Sequence, residues 1–237
     1  MLKDKKVVII GGSSGIGLAS AKQLVAQGAE VIIASRSEEK LQKAKEQLGV
    51  RATTYILDTT QEQQVQSFFE KIGHVDHLVI SAAETSSGAF LQTDTAQARK
   101  LFENKFWGQY YAAKYGASNI SPNGSIILFS GVVAYKAMVG SAILGAVNAA
   151  ISNLGQTLAL ELAPIRVNIV SPGIIDTPSR SKMPEEARNH FYNTVENKLP
   201  VKRIGRADDV AQSVLYLLQN SFVTGTVLHV EGGHMLT

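Results

Sequence analysis

Seven short runs rich in β-branched residues recur along the chain, separated by longer stretches with helical spacing. They are Val7–Ile10, Val31–Ala34, Thr53–Leu57, His77–Ile80, Ser125–Phe129, Arg166–Val170 and Thr226–Val230. No other feature limits the possible folds so tightly, because strands alternating with helices build a parallel sheet whose crossovers cover both faces. The first, second and fifth runs are almost wholly apolar (VVII, VIIA, IILF), as strands buried on both sides must be. The intervening spacing predicts helices over 16–27, 37–48, 61–72, 95–116, 142–162 and 207–219. Gly28 and Gly49 stand where the first two need a C-terminal cap.

The turn after the first run reads Gly11-Gly12-Ser13-Ser14-Gly15-Ile16-Gly17 and leads directly into a helical pattern. Glycines at 11, 15 and 17 let the backbone turn tightly, approach a pyrophosphate and pack helix on sheet, while the helix N–H groups face the anion. Placed between the first strand and first helix of a βαβ unit, this turn predicts a dinucleotide site. The fold expected is α/β: a single-domain, Rossmann-like, doubly wound sheet of about seven parallel strands with helices on both faces, spanning residues 1–237. At the end of the second strand the chain reads Ala34-Ser35-Arg36-Ser37. A carboxylate there would accept from a ribose 2′-OH and repel a 2′-phosphate. With none present, and a guanidinium able to pair with phosphate, NADP(H) is expected over NAD(H). Asp58, after the third strand, is placed either to meet the adenine edge or to cap the next helix.

Composition narrows the chemistry. The chain has no cysteine, which excludes disulfides, thiolate zinc sites and thiol nucleophiles. Its formal charge is only +3 and its basic residues are scattered, so no nucleic-acid partner is expected. Five histidines without ligand spacing give no metal site. The apolar run near the N-terminus is only Val7–Ile10, too short for a secretory core, and no membrane span is read elsewhere. A soluble, cytoplasmic protein with a small-molecule substrate is the expectation. The segment 177–200, with Pro178, Pro184 and Pro200, departs from the alternation and is expected to form a substrate lid, or else a plain surface helix with its connections.

Further motifs follow in order: Asn104 in FENKFWG, Gly124–Ser130, Arg166–Gly173 with Asp176-Thr177, and Val230-Glu231-Gly232-Gly233. With these the chain, from Val7 to Gly233, resembles the short-chain dehydrogenase/reductase family. The resemblance implies hydride transfer between a nicotinamide and a carbonyl or alcohol. It implies that Ser81 and Ala82, with Pro172, Gly173, Ile175 and Thr177, border the cofactor, and that Thr177 contacts the carboxamide. It also implies a serine, a tyrosine and a lysine one turn beyond it, and an asparagine holding a water in the proton path.

Aligned on the small residues of 142–162, this chain has Gly131 at the serine position, Ile143 at the tyrosine and Val147 at the lysine; of the four, Asn104 remains. The loop after the fourth strand reads Ile80-Ser81-Ala82-Ala83 where the family has Asn-Asn-Ala-Gly, and Ser81 is a candidate for part of the lost polar support. Tyr110 and Lys114 have the right spacing on the wrong helix and are expected to face packing. Tyr135 is the substitute acid and Lys136 the substitute cation. Asn148, rotated about 100° from Val147, is expected to point away from the nicotinamide. His190, Tyr192 and Lys198 belong to the lid, and His229 and His234 are read as interface or solvent groups. Three functions stay open: an NADP(H)-dependent oxidoreductase with a rebuilt site acting on a carbonyl or an activated alkene; a non-redox isomerase, cyclase or dehydratase with an apolar pocket of Val132, Ile143 and Val147; and a silent NADP-binding protein. The resemblance implies a homodimer through 95–116 and 142–162, or a homotetramer that also involves the C-terminal strand, in each.

Overall fold

The computed structural model describes residues 2–82, 86–181 and 183–237; Ala83 lies outside the described residues. Seven strands form one parallel sheet: β1 (Lys6–Ile10), β2 (Glu30–Ser35), β3 (Ala52–Ile56), β4 (Val75–Ile80), β5 (Ile120–Phe129), β6 (Arg166–Pro172) and, last in the chain, β9 (Val227–Val230). Their order is β3-β2-β1-β4-β5-β6-β9, so the direction of winding reverses between β1 and β4. That reversal opens a crevice at the strands' carboxyl ends, where ligands of such sheets bind. The two-residue strands β7 (Ile175–Asp176) and β8 (Gly205–Arg206) form a separate ladder beyond β6.

Helices α1 (Gly15–Ala26), α2 (Glu38–Leu48), α3 (Glu62–Ile72), α4 (Thr95–Phe102), α5 (Gly108–Gly116), α6 (Ala142–Glu161), α7 (Glu185–Lys198) and α8 (Ala207–Gln219) cover the sheet and the segment beyond it. Val7 to Ile10 are at most 1% exposed. Their side chains alternate between the two sides: Val8 and Ile10 join the core under α3, α5 and α6, and Val7 and Ile9 join that under α1, α2 and α8. Each such burial contributes about 1.5–3 kcal/mol. This two-sided burial is why the run carries no polar residue.

Three expectations need correction. The helix read over 95–116 is interrupted by a π turn at Glu103–Trp107, so α4 and α5 are separate. β5 begins at Ile120 rather than Ser125: Val75 pairs with Ile120 ahead of a register shift, drawing the turn-like Ser121–Gly124 into the strand. α6 is long and apolar enough to cross a membrane by length and composition, although no span was expected. It lies instead on the sheet, where a Cβ at Gly155 would stand 2.6 Å from Ile169, and its inner face buries Asn148, Ile151 and Ser152. Segment 177–200 is built around α7, whose Val195, with Leu199 just beyond, packs on Ile174.

Candidate cofactor and active site

The glycine turn is closed by contacts that leave no room for side chains. Gly11 sits at φ +88°, and a Cβ there would lie 2.5 Å from the Ala82 nitrogen. A Cβ at Gly17 would strike the Gly11 carbonyl oxygen and stand 2.6 Å from Ser81 Oγ. A Cβ at Gly15, where φ is +54°, would come into ordinary contact with Thr177 at 3.5 Å, so the turn after β1 meets the segment after β6. Ser14 is the N-cap of α1 but makes no side-chain cap bond, and the first turn of α1 has no carboxylate. By contrast Ser37 caps α2 by accepting from the Lys40 N–H, and Glu38 and Glu39 follow it. The N-terminus of α1 thus keeps its positive end for an external anion.

At the end of β2 the buried Ser35 Oγ has no partner among the described residues, and Arg36 is exposed beside it. An orphaned hydroxyl, an adjacent guanidinium, an anion-ready helix start and glycines that admit no Cβ fit a dinucleotide carrying an extra phosphate. Asp58 is not the cap of α3, which is Gln61; its Oδ1 accepts from the backbone and hydroxyl of Thr60 at 3.0 and 2.9 Å. Ile16 packs into the core beneath the turn, and Ser13 is half-buried at its surface. Gly173 donates to the Val230 carbonyl at 3.0 Å, Ile175 is buried in β7, and Thr177 Oγ1 meets Ser179 Oγ at 2.8 Å. Pro172, the last residue of β6, pairs with Val230.

The centre beside β5 differs from the expectation. Asn104 turns its amide back onto its own helix, donating to the Lys100 carbonyl at 2.9 Å. It is Lys105, the next residue, that reaches inward, donating to the Ser130 carbonyl at 3.1 Å and to Asn148 Oδ1 at 2.5 Å. Lys105 is 4% exposed, and burial pushes its amine down to about 8. Asn148 therefore does not point away: it faces the end of β5, where a Cβ at Gly131 would lie 2.7 Å from Asn148 Nδ2. Ser130 and Ser152 hydroxyls both donate toward the Asn148 backbone carbonyl, at 2.9 and 3.0 Å, and Gln109 brackets Phe129 through its N–H and carbonyl. Sequence reasoning missed Lys105, although the signal was present. Lys105, Gln109, Ala112, Ala113 and Gly116 form the buried stripe of this helix, and an ionisable residue at its head is out of place.

Other candidates disperse. Ser81 Oγ donates to the Ile10 carbonyl at 3.1 Å, so it ties β4 to β1 rather than replacing lost polar support. Tyr135 is 43% exposed, its ring edge-on to His229 at 4.7 Å. Lys136 is not a site cation, since its amine donates to the His234 carbonyl at 2.7 Å and anchors the C-terminal turn. His234 itself is buried, not a solvent group. Tyr110 stacks on Phe106 in an aromatic ladder, and Lys114 approaches Glu62 at 3.5 Å. In segment 177–200, Tyr192 donates to Asp176 at 3.0 Å, while His190 and Lys198 are exposed. Val147 and Val132 are buried; Ile143 lines a pocket with Phe90, Leu101 and Leu144, where the Gly88 N–H donates to the Gly140 carbonyl at 2.9 Å.

Strand order, glycine turn and switch-point crevice define a dinucleotide-binding α/β protein. Residues 11–235 match the family model described as enoyl-(acyl carrier protein) reductase. The chain is 32% identical to carbonyl reductase family member 4 of Xenopus laevis, over 98% of this chain and 99% of that protein. It is also 32% identical to the 3-oxoacyl-[acyl-carrier-protein] reductase FabG of Thermotoga maritima, over 98% of each chain. Among solved structures it is similar to a small-chain dehydrogenase in complex with NADPH, at 36% identity and a TM-score of 0.85, covering 99% of this chain and 100% of that one. The chain belongs to the short-chain dehydrogenase/reductase family of oxidoreductases.

Proposed function

We propose that the protein is an NADPH-dependent reductase of a carbonyl compound whose active site lacks the family's usual serine, tyrosine and lysine. The observation that carries the cofactor reading is the pairing of an orphaned Ser35 hydroxyl with Arg36 and no acid at the end of β2. The NADPH complex of a relative at 36% identity supports it. Residues 11–17 would hold the pyrophosphate; Ser35 and Arg36 would hold the 2′-phosphate. Asp58 would meet the adenine, and the backbone at Ser81, Ala82 and 172–177 would border the nicotinamide. When bound, the nicotinamide exchanges a hydride with substrate carbon.

Gly131, Ile143 and Val147 can neither donate nor relay a proton. Tyr135, in the loop after Gly131, is the proposed acid. The names of the relatives favour a 3-oxoacyl or related carbonyl. The test follows nicotinamide absorbance with acetoacetyl-coenzyme A. NADPH is expected to be consumed, and Tyr135→Phe to lower turnover by about 10²-fold with NADPH affinity unchanged. An unchanged rate in Tyr135→Phe removes that residue from the mechanism.

A further inference from the structure

Lys105 presents a physical anomaly. It is a lysine buried at the carboxyl end of β5, facing the Ser130 carbonyl from the strand and the Asn148 amide from α6, with no carboxylate partner among the described residues. Burying an ammonium this way costs several kcal/mol, and an apolar residue of similar length would be more stable there. What the lysine secures is the orientation of Asn148. An ammonium only donates, so Oδ1 must face Lys105 and Nδ2 must face the opposite way, toward Gly131. Nδ2 finds no acceptor among the described residues. The room a side chain at position 131 would occupy is filled by this amide, since a Cβ there would fall 2.7 Å from Nδ2. The backbone serves the same end. The π turn at Glu103–Trp107 lies where Lys105 turns inward, and Ser130 and Ser152 hold the Asn148 backbone from the other side.

We infer that Asn148 Nδ2 is the hydrogen-bond donor to the substrate's carbonyl oxygen, and that Lys105 is the positioning residue that fixes and polarises this amide. The inference rests on the reductase reading for its substrate class. A charge-assisted bond to Oδ1 draws electron density from the amide and strengthens Nδ2 as a donor. As a carbonyl carbon accepts hydride, its oxygen gains charge, and a fixed donor at that point stabilises the gain. Nothing covalent is asked of Asn148. This arrangement also changes the meaning of Gly131: the glycine is needed because the amide occupies its side-chain space.

The test uses the full-length protein with acetoacetyl-coenzyme A as probe. Calorimetry reads probe affinity in the NADP⁺-loaded protein, and nicotinamide absorbance reads turnover. Asn148→Leu is expected to weaken the probe about tenfold and lower kcat about 10²-fold, with NADPH affinity retained. Lys105→Met should lower kcat in the same direction and abolish the loss of probe affinity expected in the wild type as pH rises past about 8. Should Asn148→Leu fail to fold, the pair Gly131→Ser with Asn148→Ala puts a hydroxyl into the vacated room, and it should exceed Asn148→Ala alone about tenfold in kcat. Wild-type values in Asn148→Leu overturn the inference. A loss that falls equally on NADPH affinity, or a wild type that binds no probe, overturns it too. Probe binding that depends on Asn148 without any change in nicotinamide absorbance supports the inference and removes the reductase reading.

Discussion

His77 lies in β4 opposite Ser125, 6% exposed, with Nδ1 unpartnered among the described residues. Burial pushes the ring from 6.5 to about 4; Asp76 opposes that shift, and Arg166, Lys5 and the chain's N-terminus add to it. The unfolded chain takes up a proton at this ring near pH 6.5 that the folded chain refuses until about pH 4. Its contribution is complete above pH 6.5 and is lost as pH falls through that window, amounting to roughly 3 kcal/mol. Denaturant titrations at pH 7 and pH 4 should show this extra slope, and His77→Leu should flatten it. Equal slopes in both proteins would contradict the account. Single residues were also where reading the chain by pattern reached its limit. Arg36 and the glycines announce themselves by type and place, but Lys105 and Asn148 become a pair only when α6 and the π turn bring two distant segments within 2.5 Å. The 100° rotation from Val147 to Asn148 holds, but Val147 faces the core packed on the sheet, so it is Asn148 that turns toward the end of β5.

The elements themselves were legible. All seven sheet strands stand where β-branched runs marked them, and five of the six helices run close to their predicted bounds, because two-sided burial and 3.6-residue periodicity leave direct marks on residue choice. The break in 95–116 left none, since a π turn requires no proline or glycine. The turn between β1 and α1 depends on contact rather than on glycine's flexibility alone, and two substitutions separate these causes. Gly17→Ala would drive a methyl group onto the Gly11 carbonyl and Ser81 Oγ, forcing α1 away from the crossing of β1 and β4. It should cost about 1–3 kcal/mol and remove NADPH binding. Gly49→Ala, at φ +71° with open space around it, should cost about 1 kcal/mol and leave NADPH affinity intact. Thermal unfolding and calorimetry on the two variants check this, and equal effects on cofactor binding would contradict it.

At the scale of the molecule, one sheet divides its labour at the point where its winding reverses. In the proposed reading β1, β2 and the start of α1 would hold phosphate and ribose with backbone N–H groups, glycines and the Arg36 guanidinium. β5, α6 and the π turn build a separate polar centre around a buried amine. The first half keeps the glycine turn after β1; in the proposed reading the second lacks the family's proton-handling groups, with Gly131, Ile143 and Val147 in their places. The account therefore depends on whether the intact half still selects the phosphorylated dinucleotide. Calorimetric titration of NADPH and NADH into the same preparation, repeated with Arg36→Glu, tests this most directly. Micromolar NADPH binding, NADH weaker by about 10²-fold, and a reversal of that preference in Arg36→Glu are the predicted results. Equal affinities for the two dinucleotides, or binding of neither, would contradict it.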